Sequence, residues 1–212
     1  MENTVYDSLL EDMKQGLGKR RYEHVRSVYE ECGRLADMFD LNGKTKNDLL
    51  ISAILHDITK PFDREIGQLT LAESLDLPLS EQDKESPKTV HAITGAALAR
   101  KCYPDQVNDE VYECIRWHCT GKANMSLPEM LLYLADYIEP TREFDDCITV
   151  RNFFIQLTDE GEDPYMAVVR AMLLSFDITI KQLIDGGECV HPNSLSARNF
   201  LLNIVKKRDI IV

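Results

Sequence analysis

The 212-residue sequence is short of most features that mark specialised classes of protein, and each shortage removes an option. No apolar stretch approaches the ~18 residues that a membrane-spanning helix requires. The start, Met1-Glu2-Asn3-Thr4, has neither the basic beginning nor the apolar middle of a secretory signal. Basic residues are outnumbered, 24 Lys and Arg against 36 Asp and Glu, and the net charge of −12 argues against non-specific binding to nucleic acid or an anionic membrane. A nucleotide substrate stays open, because bound cations reverse the local field within one pocket. The six cysteines (Cys32, Cys102, Cys114, Cys119, Cys147 and Cys189) contain no C-x-x-C pair. Without a secretory signal they are expected to be reduced thiols, several packed as small apolar groups, in a cytoplasmic protein. Strand-like alternation, repeats and low-complexity tracts are missing as well.

What remains is helical pattern. An apolar fraction of 44% and a charged fraction of 28% over residues 1–212 fit one domain with a full core. Thr4 with Asp7 resembles a capping box for a helix running to Gly16. The spacing of Tyr22, Val25, Tyr29, Cys32, Leu35, Ala36 and Phe39 predicts a helix over 19–41, ended by Asn42-Gly43. Thr45 with Asp48 opens a third, Leu49 to Thr59, which Lys60-Pro61 terminates. Residues 62–88 are the least regular stretch, with a short apolar piece around Leu69–Leu77. Helices follow over 89–103, where Ala92, Gly95, Ala96 and Ala99 form a small-residue face, and over 108–119, with Gly121 suited to a left-handed stop. Ser126 and Glu129 cap the helix through Ile138, and helices over 149–157, 163–185 and 193–207 complete an all-α fold.

Only five histidines are present, and four of them, with two aspartates, form the series His24, His56-Asp57, His91, His118 and Asp136. Asp136 lies among Leu132, Tyr133, Leu134, Ala135, Tyr137 and Ile138, where a lone carboxylate costs several kcal/mol unless it pairs with an arginine or holds a metal. His56 and Asp57 are about 100° apart on a helix, so one helix end presents both to a single place. His24 falls one turn before Val28, near the inner face of its helix; His91 begins the small-residue helix, and His118 ends another. Any one of these histidines is more often a satisfied core or cap residue than a ligand. Imidazoles and carboxylates arriving together suit Fe, Mn or Zn, and open positions on such ions suit hydrolysis. His191, in a Val-His-Pro loop, reads as structural.

The ordered H…HD…D series resembles that of the HD-domain metal-dependent phosphohydrolases, whose fold is an α-helical bundle. Arg21-Tyr22-Glu23-His24, Ile54-Leu55-His56-Asp57, His118-Cys119-Thr120-Gly121, Met125-Ser126-Leu127, the run from Tyr133 to Pro140, and His191-Pro192 with Ala197-Arg198-Asn199 are similar to the bacterial symmetrical bis(5′-nucleosyl)-tetraphosphatases over about residues 19–202. The resemblance implies hydrolysis of diadenosine tetraphosphate to two ADP at two divalent metal ions, iron foremost and Mn or Zn as alternatives. His24, His56, Asp57 and Asp136 would hold one ion, and His91 and His118 the second, with Asp57 bridging. Asp57 and Lys60 are the expected catalytic pair, with Lys60 near the phosphates. Arg21, Thr120, Gly121 and Lys122 are further substrate contacts, Arg20, Arg21 and Lys122 being weaker candidates because surface basic residues are usually just solvated. Lys122-Ala123-Asn124 departs from the Lys or Arg with Pro or Ala usual in the family, and residues 62–88 are idiosyncratic and border the expected substrate pocket. Two other readings compete: an HD phosphohydrolase of other nucleotides, and a nucleotide-binding regulator without turnover. A closed structural metal site would call for thiolates, and no cysteine pair supports one. A homodimer is compatible with the sequence.

Overall fold

The computed structural model describes residues 4–62 and 66–211; residues 63–65, inside the stretch that reads as irregular, lie outside the described residues. Among the described residues there are eleven α-helices and no strand. They are α1 (Val5–Gly16), α2 (Lys19–Met38), α3 (Gly43–Leu55), α4 (Ile66–Ser74), α5 (Glu81–Glu85), α6 (Val90–Cys102), α7 (Asp109–Trp117), α8 (Leu127–Ile138), α9 (Asp145–Asp159), α10 (Pro164–Asp185) and α11 (Pro192–Ile211), with a 3-10 turn at Pro87–Thr89 before α6. No described helix is long and apolar enough to cross a membrane.

The local signals account for most boundaries. Thr4 and Asp7 exchange the two hydrogen bonds of a capping box, as do Ser126 and Glu129 at α8. Asp163 accepts from the Met166 amide, and Pro164 takes the first turn of α10, where its missing N–H costs nothing. The expected stop at Asn42-Gly43 falls elsewhere: α2 ends at Met38 because Asp40 takes the left-handed conformation (φ 51°) and Leu41 N–H bonds back to Ala36 O. Asn42 is instead the N-cap of α3, and Asp48, expected to help open that helix, is buried within it and accepts from Lys44 and Asn108. Within 62–88, α4 and α5 are helices that the pattern did not predict.

Two hydrophobic clusters meet at α3. On one side Leu49, Leu50 and Ala53 join the larger cluster around α8, whose Met130, Leu131, Leu132 and Leu134 are all fully buried. On the other, Ile51, Ile54 and Leu55 pack with Leu9 and Met13 of α1, Ala96 and Ala99 of α6, and Val111 and Ile115 of α7. Each of the Leu, Ile, Val and Met side chains contributes roughly 1.5–3 kcal/mol relative to exposure. The chain leaving α3 is therefore delivered to the seam between both clusters, and the next two residues are His56 and Asp57.

Candidate metal centre

The His56-Asp57 pair lies just past the last turn of α3 rather than within it, in a turn held by Ile58 N–H to Leu55 O and Lys60 N–H to Asp57 O. Gly95 lets α6 come close to that turn: a Cβ there would stand 3.3 Å from His56 O and 3.5 Å from Thr59 Oγ1. The same turn is tied to α6 by a buried network. Thr59 Oγ1 donates to His91 O at 3.0 Å, Gln68 of α4 donates to Thr59 O at 2.7 Å, and Thr94 donates to Gln68 Oε1 at 2.6 Å. His24 arrives from α2, His91 from the first turn of α6, His118 from the end of α7 and Asp136 from the last turn of α8.

The four imidazoles are oriented alike. His56 Nδ1 meets Ala53 O at 2.7 Å, His118 Nδ1 meets Ile115 O at 2.7 Å and His91 Nδ1 meets Lys88 O at 2.9 Å, each three residues back. For His56 and His118 this satisfies a carbonyl that the ending helix leaves without a partner. His24 Nδ1 meets Glu139 Oε1 at 3.0 Å. With every Nδ1 committed to an oxygen, every Nε2 turns inward. His24 and His56 Nε2 stand 3.4 Å apart, and His91 and His118 Nε2 3.2 Å apart.

Asp57 lies between these two pairs. Its Oδ2 is 3.6 Å from both His24 and His56 Nε2, whereas its Oδ1 is 3.4 Å from His91 and 3.9 Å from His118 Nε2. Asp136 Oδ1 joins the first pair, 3.1 Å from His24 and 3.8 Å from His56. Four inward Nε2 atoms and two carboxylates thus converge on one buried space, with Arg21 and Arg142 paired to the carboxylates. The donor set, all nitrogen and carboxylate oxygen at these positions, fits divalent ions of the Fe, Mn or Zn kind.

Proton affinities follow from the same arrangement. Burial pushes His56 and His91 down to about 4, which keeps both rings neutral and ready to ligate. Burial works against charge on His24 too, but hydrogen bonds to Asp136 and Glu139 outweigh it and raise that ring to about 9. Burial would raise the Asp57 carboxyl, yet the neighbouring His56, Lys60 and His91 hold it well below the usual carboxylate range. Asp136 is held down in the same sense, against its burial, by Arg142 and His24.

The sequence matches the HD domain over residues 21–141, a stretch that begins just before His24 and ends just after Asp136. The chain belongs to the HD-domain family. Within it, the chain is 31% identical over 195 residues to a symmetrical bis(5′-nucleosyl)-tetraphosphatase of Halalkalibacterium halodurans, spanning 91% of this chain and 95% of that protein. It is 29% identical to the Bacillus subtilis protein of the same name, over 90% of this chain and 94% of that one. Among solved structures, one named a predicted HD superfamily hydrolase involved in NAD metabolism, from Clostridium acetobutylicum, superposes with a TM-score of 0.79 at 32% identity, covering 94% of this chain and 98% of its own. The all-α fold expected from the helical pattern and the HD-domain bundle implied by the resemblance are what is observed among the described residues.

Around the HD centre the structure sorts the remaining residues. Arg21 Nη1 donates to Asp57 Oδ2 at 2.7 Å and lines two clefts. The larger, about 1080 Å³, opens on the His24 side between Arg20, Arg142, Glu139 and the exposed Phe144. The smaller, about 270 Å³, opens on the His91 side between Lys60, Phe62, Gln68 and Lys88. Thr120, Gly121 and Lys122 line neither cleft. The Thr120 hydroxyl donates to Gly121 O, Gly121 (φ 61°) packs where a Cβ would stand 2.8 Å from Phe176, and Lys122 Nζ pairs with Glu113 and Glu129, both at 2.7 Å. His191, read as structural, accepts from Asn193 N–H and gives its other nitrogen to Asp83 at 3.2 Å.

Three residues at the centre were not singled out from sequence. Arg142 Nη2 donates to Asp136 Oδ1 at 2.5 Å, so the aspartate has both an arginine and a histidine beside it. Glu139, with no exposed surface, orients His24 and is itself held by Thr141 N–H at 2.6 Å and Thr141 Oγ1 at 2.8 Å. Cys119 Sγ stands beside His91 and His118. The signal for Glu139 was its place in the Glu-Pro that ends the run from Tyr133 to Pro140; nothing local pointed to Arg142, which reaches the centre from a loop.

Proposed function

We propose that this chain is a metal-dependent hydrolase that cuts dinucleoside tetraphosphates symmetrically, with diadenosine tetraphosphate giving two ADP. The relatives named above support the substrate class. The division of the Asp57 oxygens between two histidine pairs carries the two-ion reading: it is the arrangement of a bridging carboxylate. His24, His56 and Asp136 then serve one ion and His91 and His118 the other, iron being the first choice of metal and Mn or Zn the alternatives. When bound, such ions supply Lewis acidity toward phosphoryl oxygens and make water a nucleophile near neutral pH.

The protein's own groups do the rest. Glu139 fixes the His24 ring, and the Ala53, Lys88 and Ile115 carbonyls fix the other three, so the ligands are preorganised. Lys60 and Arg21 supply fixed positive charge beside the centre, in a chain whose net charge is −12, and so recruit and orient the phosphate chain. Two clefts that meet at Arg21, each with an exposed phenylalanine, suit a substrate with a nucleoside at both ends and its middle phosphates at the centre. A bacterial, cytoplasmic setting belongs to the same reading, supported by bacterial relatives and by six cysteines that are all free thiols.

Anaerobic purification, metal analysis and a screen of dinucleotides test it. The screen includes a diphosphate-linked dinucleotide, because the Clostridium acetobutylicum neighbour is described as involved in NAD metabolism. Two ions per chain with preferred turnover of a tetraphosphate is the expected outcome. Turnover confined to mononucleotides would move the chain to another HD phosphohydrolase function, and binding without turnover would make it a regulator.

A further inference from the structure

We propose that Cys119 is a ligand of the second metal ion, giving this chain a mixed sulfur, nitrogen and oxygen site beside an all-nitrogen-and-oxygen first site. The inference rests on the two-ion reading above. Cys119 follows His118 at the end of α7, and its Sγ stands 3.2 Å from His118 Nε2 and 3.1 Å from His91 Nε2. The two nitrogens are themselves 3.2 Å apart, so the three atoms form a nearly equilateral triangle. Bond lengths of about 2.3 Å for sulfur and about 2.0 Å for nitrogen place ligand atoms about 3–3.5 Å apart around a shared ion. All three separations fall in that range.

The cysteine does not stand alone. His91 and His118 are 5% and 2% exposed, their Nδ1 atoms are already committed to Lys88 O and Ile115 O, and both Nε2 atoms are aimed at the sulfur and at each other. Both Nε2 atoms and the Cys119 sulfur thus converge on one point, where the thiol lies within hydrogen-bond distance of the two nitrogens. A cation bound there would take the place of the thiol proton, and Asp57 Oδ1, 3.4 Å from His91 Nε2, supplies the fourth donor. On binding, the thiol proton leaves to solvent and the thiolate is the ligand. A soft donor shifts the second site toward zinc or ferrous iron and away from manganese, which prefers oxygen. The two positions in one chain thus differ in metal preference.

The test uses the full chain loaded anaerobically with cobalt(II), whose thiolate complexes absorb strongly in the near ultraviolet. Wild-type protein with two cobalt ions per chain should show this charge-transfer band, and Cys119→Ser should lose it. In parallel, iodoacetamide should label the partly exposed Cys119 in chelator-treated wild-type protein and fail to do so after metal loading, as read by peptide mass spectrometry. Two bound cobalt ions without the band, a band that survives in Cys119→Ser, or equal labelling with and without metal would each overturn the proposal. A single ion per chain that shows the Cys119-dependent band would support the ligand and overturn the two-ion reading instead.

Discussion

Glu139→Gln isolates the support of one ligand from the ligand itself. The substitution keeps shape and removes charge from the acceptor of His24 Nδ1, a group with no exposed surface whose hydrogen bonds include those to His24 at 3.0 Å and to Thr141 at 2.6 and 2.8 Å. A carboxylate partner makes a ligating imidazole a better donor, and losing such a partner typically costs about 10–100-fold in metal affinity, or about 1.4–2.7 kcal/mol. Proton competition acts in the opposite sense. In the metal-free protein Asp136 and Glu139 raise His24 to about 9 against the effect of burial, so at neutral pH this ring must lose a proton before it binds. First-site affinity should therefore rise about tenfold per pH unit from 7 toward 9 and then level off. Removing the Glu139 charge lowers the proton affinity of His24 as well as its metal affinity, so the deficit should be largest near pH 9 and smaller at pH 7. Chelator-buffered titrations of wild type and Glu139→Gln across that range read both quantities, with the His91 and His118 position as an internal reference. An equal loss at both positions, or a deficit that grows as pH falls, would refute the reasoning.

Other substitutions address other parts of the centre. Asp57→Ala should abolish metal-dependent hydrolysis and lower metal content, since it removes a carboxylate whose two oxygens face the two histidine pairs; full occupancy with most activity retained would exclude a bridging role. Lys60→Ala should stay folded and metal-loaded while turnover drops by about 10²–10³, the usual loss for a group acting on transition-state charge; unchanged rates at low and saturating substrate would remove Lys60 from the site. Gly121→Ala should lower thermal stability by about 1–3 kcal/mol, because the new Cβ meets Phe176 and Ala197 from a left-handed backbone. Its metal content at low temperature should match wild type, and a loss confined to metal content would make Gly121 part of the centre rather than of the packing.

The parts of the molecule legible from sequence are those governed by local chemistry. Capping boxes at Thr4 and Ser126, the Asp163-Pro164 start of α10 and the glycine stop after α7 are short-range signals, and each is where the sequence puts it. The end of α2 was misplaced because Asp40, not a glycine, takes the left-handed turn. Helices α4 and α5 were invisible because they are short and carry little apolar periodicity, only Gln68, Ala72 and Asp83 among them being buried. At the centre, the ordered His and Asp series marked the inward-facing groups. Arg142 escaped because tertiary packing alone brings it there from the loop after α8, and Cys119, although it adjoins His118, because adjacency does not say on which side of the turn its sulfur falls. Lys122 looked available for phosphate, but Glu113 and Glu129 claim its ammonium from neighbouring helices.

The most direct test of the central claim is the product pair formed from diadenosine tetraphosphate in ¹⁸O-labelled water, followed by mass spectrometry at early times. Attack by water on a central phosphorus breaks the middle anhydride, yielding two ADP with a single ¹⁸O on the terminal phosphate of one of them. The proposed seating of one nucleoside in each of the two clefts predicts that result. AMP and ATP as the first products would contradict it.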